Sequence, residues 1–157
     1  MSEEDIEAHT AFAKAANNAT YGLLDRDDRS PDEDAVMIHQ AHAAAFHWSQ
    51  AGGPTHMARA EYLVSRVYGF LGRAEAASYH AGRCMGWVAE AGLADFDMAY
   101  ALEAKARSLA ASGELERAAE VLSEALAVPI ADDEDRGLVM SDIQAGPWFG
   151  VEVPASS

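Results

Sequence analysis

The amino-acid sequence predicts an all-α protein, and three observations support that class. Helix start and stop signals recur along all 157 residues, and no segment shows the alternating pattern of a half-buried strand. Apolar residues recur at helical spacing, most clearly in the stripe Leu115, Ala118, Ala119, Leu122 and Leu126. Because 50% of the residues are hydrophobic, the protein can build the core of a single domain of six to seven helices.

The first two helices have clear start signals. Ser2, followed by three acidic residues, can cap a first helix that runs to about Leu24. The segment Ser30–Glu33 combines a capping serine, a proline at the first helical position and a glutamate three residues after the serine. It predicts a second helix that continues to about Gln50. Residues 1–53 would then form a degenerate helical hairpin.

Glycines mark the ends of the next helices. Thr55 and Asp95 can cap two of them, while Gly72, Gly92 and Gly113 are stop signals because glycine readily adopts a left-handed conformation. The predicted helices are residues 55–71, 73–91, 95–113 and 114–128. The connections are short, so they predict two antiparallel hairpins, residues 55–92 and 95–130. Residues 131–157 are expected to form a short seventh helix and an apolar tail.

These two hairpins look like copies of one unit. Aligning Gly72 with Gly113, an offset of 41 residues, also aligns Ala77 with Ala118. A period of 20 to 50 residues with two helices in each unit is typical of stacked helical repeats. Each hairpin is too thin to bury its own apolar stripe, so it needs a neighbour.

The second hairpin resembles the tetratricopeptide repeat (TPR) family. Its small and large packing residues stand where that family places them: Leu102, Ala106, Leu109, Gly113, Leu115, Ala118, Leu122, Ala125 and Leu126, with Pro129 near the closing proline. The first hairpin matches at fewer positions: Ser65, Tyr68, Gly72, Ala77, Ala81 and Cys84. The resemblance implies a short right-handed superhelix of antiparallel hairpins and a non-catalytic role in protein–protein interaction.

In that family the first helix of each pair lines a concave groove. The resemblance therefore implies six exposed groove residues: Arg59, Tyr62, Arg66, Tyr100, Glu103 and Arg107. Arginine forks suit carboxylates and tyrosine is favoured at recognition surfaces, so the expected ligand is an acidic peptide segment or the carboxyl terminus of a partner protein. In the alternative interpretation these arginines only pair with nearby acids, for example Arg107 with Glu103 one turn earlier.

The apolar tail is a competing occupant of the same groove. Its residues are too apolar to remain loose in water: Pro147, Trp148, Phe149 and Val151. We expect this segment to pack against the body of the protein or against a second subunit of a homodimer.

A small helical metalloprotein or enzyme is the alternative function. His80 and Cys84 share a helix face, and His42 could add a third ligand from a neighbouring helix. Because His42 also lies on an apolar stripe, a structural role is the competing interpretation. We expect no catalytic residue and no cofactor in the interaction module.

Charge and cysteine content exclude several classes of protein. The formal net charge of −15 argues against nucleic-acid binding and against a polybasic membrane-surface protein. Cys84 is the only cysteine, which excludes an internal disulfide framework.

The acidic N-terminus lacks the features of a signal peptide, so the expected location is the cytoplasm. The acidic runs in residues 25–34 and 132–135 are interpreted as helix N-termini.

Overall fold

The computed structural model describes residues 1–155, and this part of the protein forms seven α-helices without a β-strand. The helices are α1 Glu3–Leu24, α2 Pro31–Ala51, α3 Pro54–Phe70, α4 Ala74–Ala91, α5 Asp95–Ala111, α6 Leu115–Ala127 and α7 Asp133–Gln144. The predicted all-α class is confirmed. None of these described helices combines the length and apolar character required to cross a bilayer.

The two strongest start signals form reciprocal capping boxes. Ser2 Oγ accepts the Asp5 backbone N–H at 3.1 Å, and the Asp5 carboxylate accepts the Ser2 N–H at 2.9 Å. Ser30 and Glu33 do the same at 3.2 and 2.8 Å. These contacts satisfy backbone donors that have no partner inside the helix.

The two weaker start signals are corrected. Gly53, not Thr55, is the N-cap of α3, which begins one residue later with a proline. Asp95 is the first residue of α5 rather than its cap and has a φ of +56°. Its carboxylate accepts the Ala131 N–H at 2.9 Å, so the side chain ties the start of α5 to the α6–α7 connection.

The predicted stop signals are confirmed, and all three glycines form the same kind of turn; at Gly92 the Leu93 N–H donates to the Val88 carbonyl at 2.9 Å. Gly72 and Gly113 have φ values of +69° and +86°. After Gly72 the Arg73 N–H donates to the Tyr68 carbonyl at 2.9 Å, and after Gly113 the N–H of residue 114 donates to the carbonyl of residue 109 at 3.0 Å. This is the six-residue bond of a Schellman motif, repeated at the 41-residue offset.

Helix packing places the odd-numbered helices together. Each helix from α1 to α5 packs against the next helix in sequence. Further contacts join α1 to α3, α3 to α5 and α5 to α7. The helices α3 and α5 are the most buried elements, and small residues let them approach closely: Ala58, Ala60, Ala99, Ala101, Ala104 and Ala106 are all nearly inaccessible. The inner faces of α1, α3, α5 and α7 therefore share one space.

Candidate functional site

A cavity of about 430 Å³ lies among the odd-numbered helices, with α4 contributing at its base. Its walls are mainly apolar and aromatic: Tyr21 from α1, Tyr62 from α3, Val88 from α4, Phe96 and Tyr100 from α5, and Leu138 from α7. The Tyr62 and Tyr100 rings lie 4.8 Å apart between centroids. An apolar pocket with a few polar groups is typical of a ligand-binding site.

Polar groups of the cavity are arranged in pairs. Arg59 donates from Nε and Nη2 to the two carboxylate oxygens of Asp97 at 3.0 and 3.1 Å. The Tyr100 hydroxyl donates to Asp142 Oδ2 at 2.6 Å. Burial, together with the acceptor Asp142, raises the pKa of Tyr100 well above its usual range, so this hydroxyl keeps its proton at neutral pH.

A second cavity of about 320 Å³ adjoins the first. Tyr21, Asp25 and Asp142 line both cavities, so these three residues lie between the two cavities, which we call the first and second chambers. Arg29 and Arg66 line the second chamber. Burial is the main cause that raises the pKa of Tyr21 to about 12, and Asp142 and Asp25 contribute in the same direction. We call both chambers together the inner channel.

Three of the predicted groove residues form a buried ion cluster beside the channel. Arg107 Nε donates to Glu103 Oε1 at 2.6 Å, and Arg66 Nη1 lies 3.5 Å from the same oxygen. The exposed fractions of these side chains are 1% for Arg107, 0% for Glu103 and 4% for Arg66. The buried atoms Glu103 Oε2 and Arg66 Nε have no hydrogen-bond partner within the described part of the protein. The cluster thus places two guanidinium groups on one carboxylate.

The C-terminal segment covers this cluster. Arg66 Nη2 donates to the Asp142 carbonyl at 3.0 Å, and Arg107 Nη1 donates to the Pro147 carbonyl at 2.9 Å. The Arg107 guanidinium also lies 4.2 Å from the centroid of the Trp148 ring, whose Nε1 donates to the Ile143 carbonyl at 2.7 Å. The prediction that the apolar tail packs against the body of the protein is confirmed for Trp148, which is buried, whereas Phe149 is 41% exposed.

The predicted exposure of the groove residues is therefore wrong for Tyr62, Arg66, Glu103 and Arg107, which are buried. The predicted alternative, pairing of Arg107 with Glu103, is confirmed. The six residues do lie together: three line the first chamber, three form the ion cluster, and the Tyr62 hydroxyl accepts from Arg66 Nη1 at 3.0 Å to join the two sets. Their role in peptide binding stays a prediction.

Sequence reasoning missed the channel residues contributed by α1 and α7. The acidic run in residues 25–34 suggested that Asp25 belongs to a helix N-terminus. The structure shows instead that Asp25 is the C-cap of α1. Tyr21 and Asp142 stood in segments that could not be aligned with the repeat. Their only available signal was helical spacing, since residues 21 and 25, and likewise 138 and 142, are one turn apart.

The alternative metal site is assembled only in part: the His42 and His80 rings lie 5.4 Å apart between centroids, but each is hydrogen-bonded to another side chain. His42 Nε2 is hydrogen-bonded to the Tyr68 hydroxyl at 2.9 Å, and His80 Nδ1 to Glu61 at 2.6 Å. Cys84 instead packs in the core and lines the first chamber, where burial raises the pKa of its thiol to about 12. Within residues 1–155, no three His, Cys, Asp or Glu side chains are placed to hold a metal ion.

The comparisons with known proteins do not identify a family. No family model matches the sequence, and no curated protein or solved structure gives a match. The TPR resemblance therefore remains an interpretation of the sequence pattern.

Proposed function

We propose that this protein is a non-catalytic, cytoplasmic interaction module that binds a peptide segment in the inner channel. The proposal includes a TPR-like, right-handed stacking of the hairpins α1–α2, α3–α4 and α5–α6, followed by α7. It is supported by the contacts among odd-numbered helices and by the matching turns after Gly72 and Gly113. In a stack of this kind the first helices of the hairpins form the binding face.

The observation that carries the proposal is the inner channel itself. Five helices contribute to its first chamber, which combines aromatic walls with a few fixed polar groups. Tyrosine is enriched at recognition surfaces because its ring provides a large contact area at a small cost in conformational entropy. The thiol of Cys84, the only nucleophilic sulfur, is held protonated by burial, so it gives no support to a catalytic function.

Binding of an acidic peptide by Arg66 and Arg107 would be a competition within the protein. Both guanidinium groups already contact Glu103, and each also donates to a main-chain carbonyl of the C-terminal segment. An acidic ligand would have to displace that segment before its carboxylates could reach the two arginines. We therefore expect acidic peptides to bind more tightly to a Trp148→Ala variant than to the wild type.

Selection from a displayed random peptide library tests the proposal. Asn17 lines the first chamber, so Asn17→Trp should block it, while Asn18→Trp places the same side chain on the next, exposed position outside the channel. Peptides that bind the wild type and Asn18→Trp, and bind Asn17→Trp at least about tenfold more weakly, would support the proposal. Equal binding to all three proteins, or no enriched peptide, would show that it is wrong. Sedimentation of each protein alone distinguishes self-association through the same channel from binding of a separate peptide.

A further inference from the structure

The charges of the inner channel are unevenly neutralised. Its arginines each have a carboxylate partner: Arg59 pairs with Asp97, Arg29 with Asp34 at 2.7 Å, and Arg66 with Glu103. Asp25 and Asp27, which are exposed to solvent and line the second chamber, make no ion pair within residues 1–155. The channel therefore has negative charge without a matching cation.

Asp142 is a second carboxylate beside the ion cluster, whose two guanidinium groups and one carboxylate leave one positive charge facing it. Its Oδ2 accepts the Tyr100 hydroxyl, and the nearest cation, Arg66 Nη2, lies 3.9 Å from Oδ1. That arginine also contacts Glu103 and donates to the Asp142 main-chain carbonyl, so Asp142 shares this cation with a second carboxylate. Asp142 and Asp25 both line the two chambers, beside the ring of Tyr21.

The apolar part of the channel complements a long side chain. Tyr62, Phe96, Tyr100 and Leu138 line the first chamber and lead to the dividing residues Tyr21, Asp25 and Asp142. Lysine and arginine side chains have an apolar stem and a charged head, and they gain most where the stem is buried and the head meets carboxylates. An aromatic ring beside the head adds a cation–π attraction.

We propose that the inner channel takes a lysine or arginine side chain of its peptide, with the stem against the tyrosines and the charged head between Asp25 and Asp142. This inference rests on the proposed function and specifies its ligand. While the C-terminal segment covers Arg66 and Arg107, the expected ligand of the channel is therefore a basic peptide and not an acidic one. A protein with a net charge of −15 would also attract such a segment at long range.

Two sets of probes test the inference by nuclear magnetic resonance titration at fixed ionic strength. The first set is acetylated, amidated Ala-Leu-X-Leu-Ala, in which X is lysine, arginine, norleucine or glutamate. The second set is n-butylguanidinium and n-butanol, which imitate a side chain without a peptide. Lysine and arginine peptides should bind at least about tenfold more tightly than the norleucine peptide, since a hydrogen bond to a charged group contributes about that factor or more.

Charge variants locate the binding. Asp25→Asn and Asp142→Asn should each lower the affinity for the basic peptides about tenfold. Asp133→Asn removes the same charge from a residue of α7 whose side chain is 91% exposed, and it should change affinity by less than about twofold. Equal effects of all three substitutions would overturn the inference, because they would indicate only a general attraction of the protein for cations.

The remaining outcomes separate this inference from the proposed function. If norleucine or glutamate peptides bind in the channel as well as lysine peptides do, the channel binds peptides and the basic ligand is wrong. If n-butylguanidinium binds at Asp25 and Asp142 while no peptide does, the cation site is correct and the peptide-binding function is wrong. If neither probe set shifts the resonances of Tyr21 or Tyr100, both proposals are wrong.

Discussion

Replacing Glu103 with glutamine would leave two buried guanidinium groups without their shared carboxylate. At the observed 3.5 Å and an effective dielectric constant of 20, the attraction between Glu103 and Arg66 alone is about 5 kcal/mol. Desolvation of the charges offsets part of that attraction, and removing one partner of a buried pair typically costs about 3–5 kcal/mol. Glutamine keeps the shape and still accepts a hydrogen bond from Arg107, so we expect the free energy of unfolding to fall by about 3 kcal/mol.

Thermal and chemical unfolding followed by circular dichroism measures this loss. For a protein of this length, about 3 kcal/mol corresponds to a fall in Tm of about 6–12 °C. The matched control is Glu114→Gln, which breaks an ion pair with Arg117 in which the side chains are 47% and 63% exposed. An exposed pair contributes about 0.2–1 kcal/mol, so the control should barely move the transition.

A double substitution distinguishes unpaired charge from lost packing. Adding Arg107→Met to Glu103→Gln removes one of the two guanidinium groups, so it should recover part of the lost stability. The reasoning would be refuted if Glu103→Gln destabilised the protein no more than Glu114→Gln. It would also fail if the double variant were no more stable than Glu103→Gln alone.

Three further predictions concern single sites. The Cys84 thiol, protonated by burial, should react with a disulfide reagent only after denaturant is added; rapid labelling of the native protein would contradict this. Gly146 has a φ of +79°, and an added Cβ would overlap the Phe70 ring, so Gly146→Ala should destabilise by at least about 1 kcal/mol in urea unfolding. The control Gly137→Ala meets no atom within 4 Å and should not destabilise; equal effects would count against the steric argument. Burial would raise the pKa of Glu61, but its hydrogen bonds from two basic side chains of α4 outweigh burial and lower it. Its stabilising effect is present above the usual pKa of 4.5 and is lost as the pH falls below it, so the stability gap between wild type and Glu61→Gln should narrow from pH 6 to pH 3. A gap that stayed constant would contradict that pKa direction.

Helix limits could be predicted well because their signals are local. A capping box depends on residues three apart, and a left-handed glycine ends a helix through bonds within one turn. The errors at Thr55 and Asp95 have local causes too. Pro54 already supplies the first-turn residue of α3, so Gly53 becomes the cap. The Asp95 side chain accepts the N–H of Ala131, far along the sequence, as well as the N–H of Phe96, the next residue of α5.

The environment of the candidate site could not be predicted in the same way. The TPR resemblance implied that Arg66, Glu103 and Arg107 share one groove, but it carried no information on what covers that groove. The cover is α7 with Pro147 and Trp148, and its contacts join residues 35 or more positions apart in the sequence. Arginine is also seldom buried, so exposure was the natural expectation from residue type alone.

The position of the inner channel between the first and last helices has a consequence for cooperativity. In a linear helical array each unit contacts only its neighbours, so the terminal units open independently and at low cost. In this protein Tyr21 of the first helix and its C-cap Asp25 line the same channel as Asp142 of the last helix. A ligand that touches both ends would join them energetically, so that neither could open without releasing it. Amide hydrogen exchange in α1 and α7 should then slow together on binding, because occupancy of the channel would couple the opening of the two ends.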